Sequence, residues 1–127
     1  MGNKSRGGAD GWCGDPIADS VFSALENRRR RYALYVFLAQ ESLPAAELGD
    51  AIAGWIHVGE RGGVSRAKRD DVHRSLVHRH LPVLEEAGFL HWDRETETVT
   101  RTEWSERVRA LVELALEAET GSPNTPP

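Results

Sequence analysis

The stretch from His73 to Asp93, HRSLVHRHLPVLEEAGFLHWD, joins two different apolar patterns, and this junction constrains the fold most. Apolar residues recur at helical spacing up to Ala87, and Gly88 then offers a residue that readily takes the left-handed conformation found after helices. The strand-like segment FLHW follows, then the polar turn DRETE and a second strand-like segment, TVTRT. The sequence therefore predicts a helix over about residues 67–87, kinked or restarted at Pro82, and a β-hairpin directly after it.

Four further helices are predicted from apolar spacing and from residues that favour helix starts. The first starts near Asp19 or Ser20, the second follows Asn27, the third opens with Leu43 and Pro44, and the last spans residues 103–119. Glycines at 59, 62 and 63 predict a loop between the third helix and the helix at 67–87. The expected fold class is mainly α with a small β-hairpin.

The length of 127 residues predicts a single domain with one modest core. We divide it into a flexible leader (1–16), a main domain (17–102), a C-terminal helix (103–119) and a disordered tail (120–127). A single cysteine, Cys13, cannot form an internal disulfide. The N-terminus has no apolar run of the signal-peptide kind, and the longest apolar run, residues 32–39, is too short to cross a bilayer. We therefore expect a cytoplasmic protein without a membrane partner.

Charge is unevenly distributed along the chain, although the formal net charge is only -4. Residues 28–80 carry ten Arg or Lys against six Asp or Glu, and residues 85–119 carry four against ten. A basic middle and an acidic end are compatible with a polyanion bound on one face. A simple solvated surface would give the same pattern, and the arginines at 28–31 could equally lay their stems on the core.

Three histidines lie within eight positions, but their angular placement does not favour a metal site. At 100° per residue, His80 falls in the middle of the apolar stripe, which predicts a buried, hydrogen-bonded side chain. His73 and His78 lie on nearly opposite sides of the helix, whereas ligands for one ion need a shared face. A metal-responsive switch through His73 and His80 is the weakest hypothesis, so we expect no metal and no cofactor.

The outward side of the same helix carries Asp71, Arg74, Ser75, His78 and, farther round, Arg79. Most of these are donors that can reach phosphates and base edges in a DNA groove. No arrangement of residues predicts catalysis. The loop GERGGVSR lacks the Lys-Ser/Thr ending of a phosphate-binding loop, and the acidic pairs at 70–71 and 85–86 are adjacent in sequence and point apart on a helix. We therefore expect no enzyme.

The run HLPVLEEAGFL at 80–90 resembles the HLxxLxxAGLV signature of winged-helix regulators of the ArsR type. FSAL at 22–25 with the segment 28–38 resembles their opening region, and LPAAELGDAIA at 43–53 resembles the helix before the reading helix. More closely, NRRRRYALYVFL together with HRHLPVLEEAGFLHWD is similar to a group of uncharacterised winged-helix domains common in haloarchaea. The similarity covers roughly residues 18–102.

This resemblance implies a winged helix-turn-helix that binds double-stranded DNA as a transcriptional regulator, usually as a homodimer built through terminal helices. The reading helix would be 67–87 and the wing 89–102. The expected DNA contacts are Arg74, Ser75, His78 and Arg79 in the groove, and Lys68, Arg69, Arg28, Arg29, Arg30, Arg31 and Arg94 elsewhere. The expected dimer contacts are Trp104, Val108, Leu111, Val112 and Ala115, which could instead cap the chain's own core.

Three departures from the ArsR pattern qualify this interpretation. The loop from Gly59 to Lys68 is longer, the wing tip sets Glu95 and Glu97 beside the single Arg94, and the metal-sensor cysteines have no counterpart. An acidic wing is poorly suited to phosphate. The alternative is a winged helix that engages another protein through its wing and last helix without touching DNA. No small-molecule effector is evident from the sequence.

Overall fold

The computed structural model describes residues 16–58 and 62–121, with side chains from Asp19 onward. Most of the predicted leader, with Cys13, and most of the predicted tail lie outside the described residues. In chain order, the elements are α1 (Pro16–Glu26), α2 (Arg28–Ala39), β1 (Ser42–Pro44), α3 (Ala45–Ile56), α4 (Arg66–Ser75), a π-helical turn (Leu76–His80), α5 (Leu81–Glu86), β2 (Leu90–Asp93), β3 (Thr98–Arg101) and α6 (Glu106–Thr120). The described chain is thus mainly helical with a small antiparallel sheet.

The first two helices are separated by Asn27 alone. Its side chain accepts hydrogen bonds from the backbone N–H groups of Arg29 and Arg30, which have no partner inside the helix they begin. The short polar side chain therefore ends α1 and starts α2 in one step. The predicted start of the first helix, near Asp19 or Ser20, is three to four residues late, since α1 begins at Pro16.

The sheet has three strands in the order β1-β3-β2, all antiparallel. The predicted hairpin is confirmed, with Trp92 opposite Val99. Asp93 shapes its turn because the carboxylate accepts from the N–H groups of Glu95 and Thr96. The prediction that Leu43 and Pro44 open the third helix is wrong, since both belong to β1 on the edge of the sheet.

Proline at this edge is compatible with a strand because β1 pairs on one side only. Leu43 faces Val99 of β3 and is buried, and Pro44 then becomes the residue that precedes α3. A three-residue strand is too short to show the alternation by which strands are recognised in a sequence.

One apolar core lies between the helices and the buried face of the sheet. Its most enclosed large side chains are Phe37, Leu34, Leu48, Ile52, Leu76, Leu81, Leu84, Val72, Val99 and Val112. They come from every helix after α1 and from β3, so the helices from α2 to α6 share this core. Among the described helices, none has the length and apolar character needed to cross a bilayer.

The last helix packs against α2 of its own chain. Val112 and Leu116 are buried there, and the predicted dimer residues Trp104, Val108, Leu111 and Ala115 are half-buried against the same core. Of the two alternatives for this stripe, the structure thus uses it to cap the core. The helix starts at Glu106, not at Glu103, because Ser105 caps it by accepting from the N–H of Val108. Trp104 precedes the helix, and its indole N–H donates to the carbonyl of Phe89.

Candidate nucleic-acid interface

Helix α4 begins at a side-chain cap and leads into a distortion. The Ser65 hydroxyl accepts from the backbone N–H of Lys68. After Ser75 the chain takes one π-helical turn, in which the N–H of Leu81 bonds to the carbonyl of Leu76, five residues back. The helix predicted over about 67–87, kinked or restarted at Pro82, is therefore three consecutive segments over 66–86.

Pro82 gives the physical reason for this turn. Proline has no N–H to donate, and in a regular helix its ring would collide with the carbonyl four residues earlier, that of His78. A wider turn just before the proline relieves this collision while the chain continues in the same general direction. The prediction of a kink or a new turn at Pro82 is thus met by an inserted π turn, and α5 starts at Leu81 with the proline in its first turn.

One flank of α4 is bound to α2 through Arg29. The Arg29 guanidinium donates from Nη1 to the Ser75 hydroxyl at 2.6 Å and from Nη2 to the Asp71 carboxylate at 3.0 Å. Ser75 in turn donates to the carbonyl of Val72. Ser75 and Asp71, which the sequence placed on the outward face, therefore lie on the side of α4 that faces α2.

The opposite flank of α4 is bound to α3 through His73. Its Nε2 lies 2.9 Å from a carboxylate oxygen of Asp50. Its ring packs so closely on Gly49 that a Cβ there would lie 2.6 Å from Cε1 and Nδ1. This contact explains a glycine inside α3, where glycine otherwise weakens a helix. His73 thus acts as a spacer between the two helices.

Between these flanks runs an outer ridge of α4 and the π turn, made of Arg66, Asp70, Arg74 and His78. All four are exposed, and within the described part of the chain none of their side chains has a hydrogen bond or an ion pair. Their spacing of four residues keeps them on one face of a helix. Lys68, Arg69 and Arg79 are also exposed.

Two of the four consecutive arginines are used inside the molecule. Arg30 is only 8% exposed and donates to the carbonyl of Ser23, while its Nη1 lies 3.3 Å from Nδ1 of His80. Arg31 forms a two-pronged pair with Glu119 of α6. The expected contact of these two side chains with DNA stays a prediction, and a phosphate would have to replace the partners that they have in this structure.

The remaining two arginines contact α3 and α4, respectively. Arg28 is exposed, rests over the ring of Tyr32 at 5.4 Å and donates to the Ile56 carbonyl at the end of α3. Arg29 is half-buried in its bridge to Asp71 and Ser75. The expected contact of both side chains with DNA stays a prediction.

His80 is a core histidine, as its position in the apolar stripe predicted. It is 2% exposed, and burial followed by the nearby charge of Arg30 lowers its pKa to about 4. Because the arginine can only donate, Nδ1 of His80 must accept, so the ring is neutral with its proton on Nε2. The partners of His73 and His80 are thus Asp50 and Arg30, and no group of three potential metal ligands occurs among the described residues.

The hairpin turn presents mostly acidic side chains. Arg94, the one expected DNA contact here, lies over the ring of Trp92 at 4.2 Å and bonds to Glu85 of α5 at 3.3 Å. The N–H of Trp92 donates to the same carboxylate, and this bond, with Arg94, lowers the pKa of Glu85. Arg94 therefore braces the hairpin against α5.

The chain belongs to a family described as a domain of unknown function, DUF7344, whose family model matches residues 22–100. The matched span runs from α1 to β3 and includes α4 and the π turn. Neither the search of curated proteins nor the search of solved structures gave a match.

Sequence reasoning missed three features of this surface. Arg66 and Asp70 were not assigned to the outward face, and the bridge from Arg29 to Asp71 and Ser75 was not foreseen. The angular argument could have found Arg66 and Asp70, because both lie four residues from a member of the ridge. The angle at which α2 crosses α4 decides which of the four neighbouring arginines reaches α4. Residue spacing within the sequence does not specify this crossing angle.

Proposed function

We propose that this protein is a DNA-binding transcriptional regulator of the winged helix-turn-helix kind, with α4 as the helix that enters the major groove. The order of elements supports this assignment: α3 packs on α4, and the β2–β3 hairpin follows α5 in the position of a wing. The third strand, β1, precedes α3 and extends the hairpin into a small sheet by pairing with β3.

The observation that carries the proposal is the unpartnered outer ridge of α4. Both flanks of this helix are bound to neighbouring helices, while Arg66, Arg74 and His78 project with no partner among the described residues. A helix with its side chains is about 10–12 Å across, which fits a major groove about 12 Å wide. The ten residues of α4 span about 15 Å, enough to cross several base pairs.

Phosphate contacts would come from the basic side chains around the start of α4. Arg69 and Lys68 are exposed in its first turn, where the backbone N–H groups also favour an anion. Residues 66–79 carry five Arg or Lys against two Asp, and Arg29 neutralises one of these, Asp71. This local excess of positive charge supports DNA binding in a chain whose net charge is negative.

A homodimer would supply the two half-sites that specific affinity generally requires. The predicted stripe of α6 packs on the chain's own core, so we seek the dimer surface elsewhere. The outer side of α6 exposes Ala110, Leu114 and Ala118 at four-residue spacing, and Leu114 is 59% exposed. Small residues on either side of a leucine allow a second helix to approach closely, so we assign the dimer contact to this outer side.

The direct test is binding of the full chain to fragments of genomic DNA, measured by fluorescence anisotropy over a range of salt concentrations. Arg74→Ala is expected to weaken binding to the selected fragments by roughly 5- to 150-fold, the range for a lost base contact. Arg107→Ala on α6 removes the same charge far from α4 and serves as the control. Equal affinities of the two variants would contradict the assignment of α4 as the reading helix.

A second function is favoured by the hairpin. Its turn carries Asp93, Glu95 and Glu97, and Arg94 is held by Glu85 rather than free to reach a phosphate. Such a wing suits a basic protein surface better than a DNA backbone. If the chain binds no DNA at low salt, the winged helix is instead a protein-interaction module. Reversing the charge of the wing with Glu95→Lys and Glu97→Lys would then abolish binding to the partner protein.

A further inference from the structure

The outer ridge of α4 contains one acidic side chain between two basic ones. Asp70 lies four residues after Arg66 and four before Arg74, and all three are exposed. If this ridge enters a groove, the carboxylate enters with the arginines, because all three share one face of the helix. A carboxylate near the DNA backbone is repelled by phosphates, so Asp70 lowers affinity for any duplex in which it finds no donor.

Its neighbour Asp71 does not share this position. The Asp71 carboxylate is bound to Arg29 of α2 at 3.0 Å, on the flank of α4. The two adjacent aspartates thus carry the same charge on the same helix, but only Asp70 lies on the ridge. Within the described residues Asp70 has no partner of its own, so its acceptor capacity remains available for a ligand.

We infer that Asp70 and Arg74 together specify the base sequence, with Asp70 accepting from the amino group of a cytosine and Arg74 donating to a guanine. This inference rests on the proposed function. A carboxylate can only accept, and the donors in the major groove are the amino groups of cytosine (N4) and adenine (N6). Adenine sets its N7 acceptor beside that donor, so cytosine fits a carboxylate better, whereas guanine offers the O6 and N7 acceptors that match a guanidinium.

The spacing of the two side chains sets the spacing of the two bases. Four residues of α-helix rise about 6 Å, and successive base pairs are about 3.4 Å apart, so the two contacts fall about two base pairs apart. The half-site therefore contains a fixed cytosine and a fixed guanine at that separation. Asp70 acts chiefly by rejecting sites where it would face only acceptors, which is discrimination by repulsion.

The experiment is in vitro selection from a random duplex library with the full chain, comparing wild type, Asp70→Asn and Asp71→Asn. Wild type is expected to prefer cytosine at one position by roughly tenfold or more, the effect of one good base contact. Asp70→Asn should reduce that preference to less than about threefold and leave the guanine preference intact. Asp71→Asn changes the net charge equally and should shift overall affinity while both preferences stay as in wild type.

Three results would overturn the inference. Unchanged base preferences in Asp70→Asn would show that Asp70 does not read the sequence, although the chain still binds DNA. Equal relaxation by Asp70→Asn and Asp71→Asn would show a general effect of charge. Failure of all three proteins to bind any duplex at low salt would overturn the proposed function, and this inference with it.

Discussion

Arg31 and Glu119, 88 positions apart in the chain, form a two-pronged ion pair in which Nε meets Oε1 at 3.0 Å and Nη2 meets Oε2 at 3.1 Å. The hydroxyl of Tyr35 donates to the same carboxylate at 2.7 Å. Three charge-assisted hydrogen bonds thus join α2 to the last turn of α6. Since α6 also buries Val112 and Leu116 in the core, the helix is an integral part of the folded domain.

Glu119→Gln is expected to lower the free energy of unfolding by about 1–2 kcal/mol, because the neutral amide keeps only weaker hydrogen bonds to Arg31 and Tyr35. Urea denaturation measures this change. Glu117→Gln, which alters an exposed carboxylate on the same helix, is the control and should change stability by less than about 0.5 kcal/mol. Equal effects of the two substitutions would contradict a stabilising role for the pair.

The same carboxylate should make stability depend on acidity. Its hydrogen bond from Arg31 lowers the pKa of Glu119 below the ordinary value of 4.5. The contribution of the ionised Glu119 carboxylate to the free energy of unfolding is therefore fully present above pH 4.5. It is lost as the pH falls through the lowered pKa. Stabilities of wild type and Glu119→Gln should converge below pH 4.5, and a constant difference down to pH 3 would contradict this account.

Two glycines of α3 should respond in opposite directions to alanine. Gly49→Ala would place a Cβ 2.6 Å from the His73 ring, so the ring must move and its bond to Asp50 is lost, at a cost of about 1–3 kcal/mol. A Cβ at Gly54 would meet nothing within 4 Å, and Gly54→Ala should stabilise the helix by about 0.5–1 kcal/mol. Thermal unfolding of the two variants tests this, and changes of the same sign would contradict the close packing at His73.

The features of this fold that could be predicted are those that depend on patterns within short segments of the sequence. Gly88, which takes a φ of 90°, correctly indicated the helix end, and the strand-like segments FLHW and TVTRT with the polar turn between them correctly indicated the hairpin. The buried histidine followed from its angle in the apolar stripe. These features depend on neighbours along the chain, so the sequence contains the information directly.

Features that depend on how helices cross were not predictable in the same way. The outward face of α4 was expected to include Ser75, but Arg29 reaches across from α2 and holds it. The arginines at 28–31 look equivalent in sequence, yet Arg30 is buried while Arg28 is exposed. Their roles are set by the crossing of α2 with α4 and α6, which is a property of the tertiary packing.

His80 should make the fold sensitive to mild acid. Burial and the adjacent Arg30 lower its pKa to about 4, against 6.5 for an ordinary histidine, so the unfolded chain takes up a proton at higher pH than the folded chain. The contribution of neutral His80 to the free energy of unfolding is fully present above pH 6.5. It decreases by a few kcal/mol at most as the pH falls toward 4. His80→Gln removes the titrating group, so its free energy of unfolding should change less between pH 6.5 and 5 than that of wild type. Parallel pH profiles would contradict a neutral, buried His80.

The outer side of α6 gives the last prediction, which concerns assembly. Leu114 is 59% exposed between Ala110 and Ala118, and burying such a side chain against a second copy stabilises a dimer by about 1.5–3 kcal/mol per leucine. Leu114→Lys should therefore shift the protein to monomer in analytical ultracentrifugation while its melting temperature at low concentration is unchanged. Val58→Lys, at a residue 72% exposed beyond the end of α3, removes a comparable apolar group and should leave the mass of the proposed dimer unaltered. Truncation after Thr102 is not a suitable test, because α6 completes the core and its loss would unfold the domain. A Leu114→Lys protein that sediments like wild type would contradict this interface.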